Sequence, residues 1–194
     1  MLIQTLRNNK DLALVIGIVL LVAAMFGLHG TQLGDGSYPW AQWLRYVHIF
    51  AGILWIGLLY YFNFVQIPTM PSVPAELKPG VTKYIAPKAL FWFRWSALAT
   101  VILGLLVAEA TQGGYSARAL TLSDGYRTIG VGMWLGLIMA ANVWFVIWPN
   151  QKKALGIVQA EDAAKAKAAR TAMIASRTNV LLSIPMLLAM TNAH

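Results

Sequence analysis

The residues with the widest chemical latitude in this chain are its three histidines, His29, His48 and His194. His48 is the least expected of them. It stands inside "RYVHIFAGILWIGLLYYFNFVQIP", residues 45–68, an apolar run long enough to cross a bilayer. An ionisable side chain in hydrocarbon is costly unless partnered, so its position alone makes it a candidate functional group. At helical spacing His48 shares a face with Arg45, Gly52 and Trp55. A glycine one turn away removes the side chain that would block a flat ligand. Arg45 lies toward the aqueous end, where the propionates of a haem want a cation. Haem b is held by imidazole nitrogen and needs no thioether link. The first reading of His48 is therefore an axial haem ligand. The second is a histidine hydrogen-bonded to a neighbouring helix, with Gly52 serving close packing. The third is a copper or zinc site built from all three histidines, although their spacing matches no metal motif.

Other polar residues in apolar surroundings carry weaker signals. Arg94 lies in "KALFWFRWSAL"; it reads as a cation snorkelling between Trp92 and Trp95, or as a group binding an anionic ligand or quinone headgroup. Asn142 in "MAANVWFVIWPNQ" reads as an interhelical hydrogen bond. Glu109 ends the third apolar segment on the side of the histidines. Thr100, Gly104 and Ala108, like Gly132, Gly136 and Ala140, recur every fourth residue and read as helix-packing seams. The sequence holds no nucleotide-binding loop, Ser/His/Asp set or paired catalytic carboxylates, so hydrolysis and phosphoryl transfer have no support.

The elements that must position these residues follow from composition. Of 194 residues, 58% are hydrophobic and 11% charged, which is too apolar for an ordinary soluble domain. The fold class is an all-α, polytopic membrane bundle, a single integral domain over residues 1–194. Five transmembrane helices are expected, near residues 12–28, 40–67, 89–108, 129–148 and 172–193. The first has a basic start but a long apolar run and no small-residue cleavage pattern, so it reads as a retained span. The last contains Pro185 and spans only if it begins near Ala172, with Arg177 snorkelling toward water. "PTMPSVPAELKPG" reads as an extended connection. "QAEDAAKAKAARTAMIAS" reads as a cytoplasmic helix running into the fifth span.

Charge sets the orientation. The amino-terminal tail and the loops over residues 68–88 and 150–178 hold eleven Lys and Arg; the opposite loops hold Arg118 and Arg127. Such a bias puts the amino terminus in the cytoplasm and the carboxyl terminus in the periplasm. It also accounts for the net charge of +8 as a lipid-facing asymmetry, with no nucleic acid implied. All three histidines then fall on the outer side. His48, eight residues beyond Trp40, lies roughly 12 Å along the helix, with His194 the preferred second ligand and His29 the reserve. The absence of cysteine excludes disulfides, iron–sulfur clusters, thiolate metal sites and c-type haem.

Four stretches in order, "RYVHIFAGILWIGLLYYFNF", "WFRWSALATVILGLL", "MAANVWFVIWPNQKK" and "SRTNVLLSIPMLLAM", resemble the urate oxidase N-terminal family, the membrane domain of bacterial membrane-bound urate hydroxylases. The likeness runs from about Trp43 to the end and is closest to the short, stand-alone form without a cytochrome c domain. The resemblance implies a redox protein of the bacterial inner membrane, with His48 at the family's second-span histidine and His194 at the one after the last span. This chain has no Cys-x-x-Cys-His and carries Thr178 where long members hold a histidine. Electron transfer would therefore need a separate partner, a cytochrome c or other membrane subunits. Two functions stand against each other: a b-type haem or quinone-linked electron-transfer component, and a non-catalytic accessory subunit of a respiratory, photosynthetic or oxygenase complex. Transport is a third, without a broken-helix pair or a central acidic residue to support it.

Overall fold

The computed structural model describes residues 10–29 and 39–192. The chain divides into two compact units, Met1–Gln42 and Trp43–His194. In the first unit, α1 spans Lys10–His29. Leu14, Val15, Ile18, Val19, Leu20 and Leu21 are all exposed on it. A helix apolar on every side is suited to lipid.

The second unit is built on four long helices, α2 (Trp40–Ser72, which enters it at Trp43), α3 (Lys78–Thr111), α5 (Arg127–Ala154) and α6 (Asp162–Thr191). A short α4 (Tyr115–Leu120) lies between α3 and α5 in the chain. All four long helices have the length and hydropathy to cross a membrane. At 1.5 Å per residue they reach roughly 42–51 Å, so their ends pass beyond the ~30 Å hydrocarbon layer. The protein is thus an all-helical, multi-pass membrane protein, with no strand among the described residues. The apolar stretch of α1, Leu12–Ala24, is shorter than these four.

The connection expected to be extended is largely helical. Helix continues through Ile67–Thr69 and a 3-10 turn at Met70–Ser72, and it resumes at Lys78. Only residues 73–77 leave it, starting at Val73 with ψ of 127°. Pro79 sits at the second position of the helix that resumes at Lys78, where a missing N–H costs little, whereas Pro68 and Pro71 lie in short pieces that continue α2. The alanine-rich stretch and the last span form one uninterrupted helix, α6, as its composition predicts.

Three prolines leave a further mark. Tyr61–Gln66, Val81–Ile85 and Asn142–Ile147 are π-helical turns. Each is followed by the residue just before a proline: Ile67, Ala86 and Trp148 donate their N–H to the fifth carbonyl back, on Phe62, Val81 and Val143. Widening the helix there moves backbone carbonyls away from the proline ring that would otherwise collide with them.

The core between the helices is aromatic and tight. Trp55, Leu59, Phe93, Met139 and Val143 are at most 1% exposed. Phe62 meets Phe93 edge-on at 5.6 Å between centroids, and Trp95 meets Trp144 at 5.4 Å. Small residues set the helix spacing. A Cβ on Gly132 would come within 3.2 Å of the Ala189 methyl on α6, and one on Gly130 would collide with the Ala119 carbonyl of α4. Of the small-residue stripe of α5, Gly132 packs closely on α6, while a Cβ on Gly136 would meet nothing within 4 Å.

Candidate functional site

His48 lies on α2, half-buried against α3. Its Nδ1 is 2.9 Å from the Thr100 carbonyl oxygen. A carbonyl only accepts, so Nδ1 carries the proton and Nε2 presents a lone pair. Nε2 makes no hydrogen bond among the described residues. The ring is seated on Gly104, where an added Cβ would stand 2.9 Å from Cε1 and 3.2 Å from Nδ1. Hydroxyls along α3 turn back onto their own helix: Thr100 Oγ1 donates to Ser96 O at 2.7 Å and Ser96 Oγ to Phe93 O at 3.1 Å. They leave the Thr100 carbonyl to the imidazole.

Gly52 faces the γ-methyl of Thr100, 3.8 Å from where its Cβ would be. α3 thus fills the space that the sequence places beside His48. A flat ligand would have to approach from the side away from α3. Arg45 is exposed and forms no ion pair among the described residues. His29 closes α1, but its side chain lies outside the described residues, as does all of His194. Among the described residues no group of three or more His, Cys, Asp or Glu is placed to hold a metal ion. Glu109 serves its own loop, accepting the N–H of Gly114 at 2.8 Å and of Ser116 at 3.0 Å.

A second polar constellation lies deeper, on residues that sequence reasoning singled out only at Asn142. Asn142 Nδ2 donates to Ala175 O at 2.9 Å and to Asn179 Oδ1 at 2.8 Å; Asn179 Nδ2 donates to Met139 O at 3.0 Å. One turn away Asn63 donates to Ser176 Oγ at 2.7 Å and to Leu59 O at 2.8 Å. Ser183 gives its proton to Val180 O, so the Tyr60 hydroxyl donates to Ser183 Oγ, 2.9 Å away. The signal for this seam was present: Ser176, Asn179 and Ser183 recur at i, i+3 and i+7 on an otherwise apolar helix. Asn179 and Ser183 are wholly buried. The amides of Asn63 and Asn179 bond carbonyls just ahead of π turns, where the widened backbone rearranges its own ladder.

Arg94 departs from its expected setting between Trp92 and Trp95. Its guanidinium carbon lies 3.8 Å from the centroid of the Trp148 ring and 5.4 Å from that of Phe91. Trp144 Nε1 donates to the Arg94 carbonyl at 3.1 Å, tying α5 to α3 at this level.

No curated protein and no solved structure matches the chain. The model of the urate oxidase N-terminal family matches residues 114–194. That stretch contains α4, α5 and α6, hence the Asn142–Asn179 pair, and leaves His48 and Arg94 outside it. From residue 114 onward, then, the chain matches the urate oxidase N-terminal family, the same family that its four motifs resemble.

Proposed function

We propose that this protein is an electron-transfer component of the bacterial inner membrane, offering His48 to a b-type haem or a quinone and passing electrons to a separate partner. The supporting observation is the hydrogen bond from His48 Nδ1 to the Thr100 carbonyl, which fixes the tautomer and leaves Nε2 uncommitted. An imidazole so held would serve as a ligand to haem iron, and the same lone pair would accept a hydrogen bond from a quinol hydroxyl. A bound haem b would supply a one-electron iron couple. The chain's own part is positional. Thr100 orients the ring, Gly104 seats it, and Arg45 is a cation one turn toward the aqueous end. The amino terminus is taken as cytoplasmic and the carboxyl terminus as periplasmic, on the charge bias.

The accessory-subunit reading draws on a different observation, the closeness of the His48 ring to Gly104, which makes the imidazole a packing element. A reduced-minus-oxidised visible spectrum of the purified protein, made with haem available, separates the two. The electron-transfer reading expects a Soret band that His48→Ala abolishes while the helices still insert and fold. Folded wild type that is colourless, and whose tryptophan fluorescence does not respond to added ubiquinone, would leave the accessory role. Topology is checked by an impermeant thiol reagent on intact cells. A cysteine at Asp124, exposed between α4 and α5, should label and one at Glu76 should not; the reverse pattern inverts the orientation.

A further inference from the structure

Trp148 holds two cations on one ring. Arg94 stacks on it at 3.8 Å, and the Lys152 ammonium stands 5.7 Å from its centroid. Neither forms an ion pair among the described residues, where the pairs are Arg127 with Asp124 and Lys165 with Asp162. Two like charges gathered on one indole repel each other, and the ring offsets only part of that cost. An anion between them would offset the rest. The guanidinium has its flat face against Trp148, and its edge makes no side-chain hydrogen bond among the described residues. That edge carries the donors that grip a phosphate in bidentate fashion.

Position narrows the anion. Trp148 closes the apolar part of α5 and is followed by Pro149, Asn150 and Lys152. Arg94 belongs to the apolar part of α3, and the neighbouring Phe91, Trp92 and Trp95 are 42–50% exposed. Exposed aromatic rings beside cations at the end of a membrane helix mark the headgroup level. The ligand should therefore carry hydrocarbon as well as charge. We propose that Arg94 and Lys152, both held on Trp148, bind the phosphate of an anionic phospholipid. Trp148 fixes the spacing of the two cations, and the exposed rings of Phe91 and Trp95 contact the acyl chains.

The test uses the full-length chain in neutral detergent micelles. Phosphatidylglycerol, phosphatidylcholine and inorganic phosphate are titrated separately, and retained lipid is read by native mass spectrometry alongside the melting temperature. Wild type should retain phosphatidylglycerol at least fivefold better than phosphatidylcholine and melt higher with it. Arg94→Gln and Lys152→Gln should each erase most of that preference. Arg94→Lys, which keeps the charge but loses the flat fork, should keep part of it, and it serves if the Gln variant fails to fold. Equal retention of the two lipids, or an undiminished preference in the folded Lys152→Gln protein, would overturn the proposal. Equal stabilisation by inorganic phosphate at the same concentration would point to a soluble anion and also overturn it.

Discussion

His48 and Asn179 are both polar side chains inside a membrane helix, and they are treated differently. Asn179 on α6 is wholly buried and uses both ends of its amide, accepting from Asn142 and donating to Met139 O. His48 on α2 is half-buried and uses one nitrogen, with a glycine beneath its ring. The first arrangement turns both its amide oxygen and its amide nitrogen to holding helices together. The second holds the ring still and leaves a lone pair over. In a bilayer, where an unused polar group is expensive, the leftover valence is the more informative of the two. It is what makes His48 the candidate for chemistry and Asn179 a structural residue.

Two substitutions sharpen that contrast. Asn179→Leu removes both hydrogen bonds and presses a branched side chain into a filled site; a loss of about 2 kcal/mol of stability is expected, read by denaturation in micelles. A loss of less than about 0.5 kcal/mol would mean that the buried amides do not hold the helices. The smaller effect is at Gly104. A methyl there must push the His48 ring off Thr100, costing about 1 kcal/mol even after the gain in helix propensity. In a His48→Ala background nothing opposes the methyl, so Gly104→Ala should instead stabilise by about 0.5 kcal/mol. The same sign in both backgrounds would show that the ring is not seated on Gly104.

Much of the fold could be read from hydropathy alone. The spans over residues 40–67, 89–108 and 129–148 each lie within a long helix, and that over 172–193 follows α6 as far as Thr191, because twenty apolar residues leave the backbone no other way to satisfy itself in lipid. The inner connection departs from the extended reading because proline need not end a helix: Pro68 and Pro71 lie in the continuing end of α2, and Pro79 in the first turn where helix resumes. The site was legible in parts. The stripe of Thr100, Gly104 and Ala108 announced a seam, but which side chain would rest on Gly104 depends on the crossing of two helices, which no local pattern encodes. Arg94 likewise found its ring on Trp148, fifty-four positions away, in place of the tryptophans beside it.

The three π turns carry a consequence for anyone who draws these helices as wheels. Each one inserts an extra residue into the winding, which advances the phase by about 100°. On α2, residues before Tyr61 and residues after Gln66 therefore belong to two different wheels. The same break divides α5 at Asn142–Ile147. A map of tolerated substitutions along either helix would show one rhythm, a skipped beat, and the same rhythm resumed out of step. The last helix contains Pro185 yet stays α-helical from Asp162 to Thr191, so its rhythm should run through without a slip.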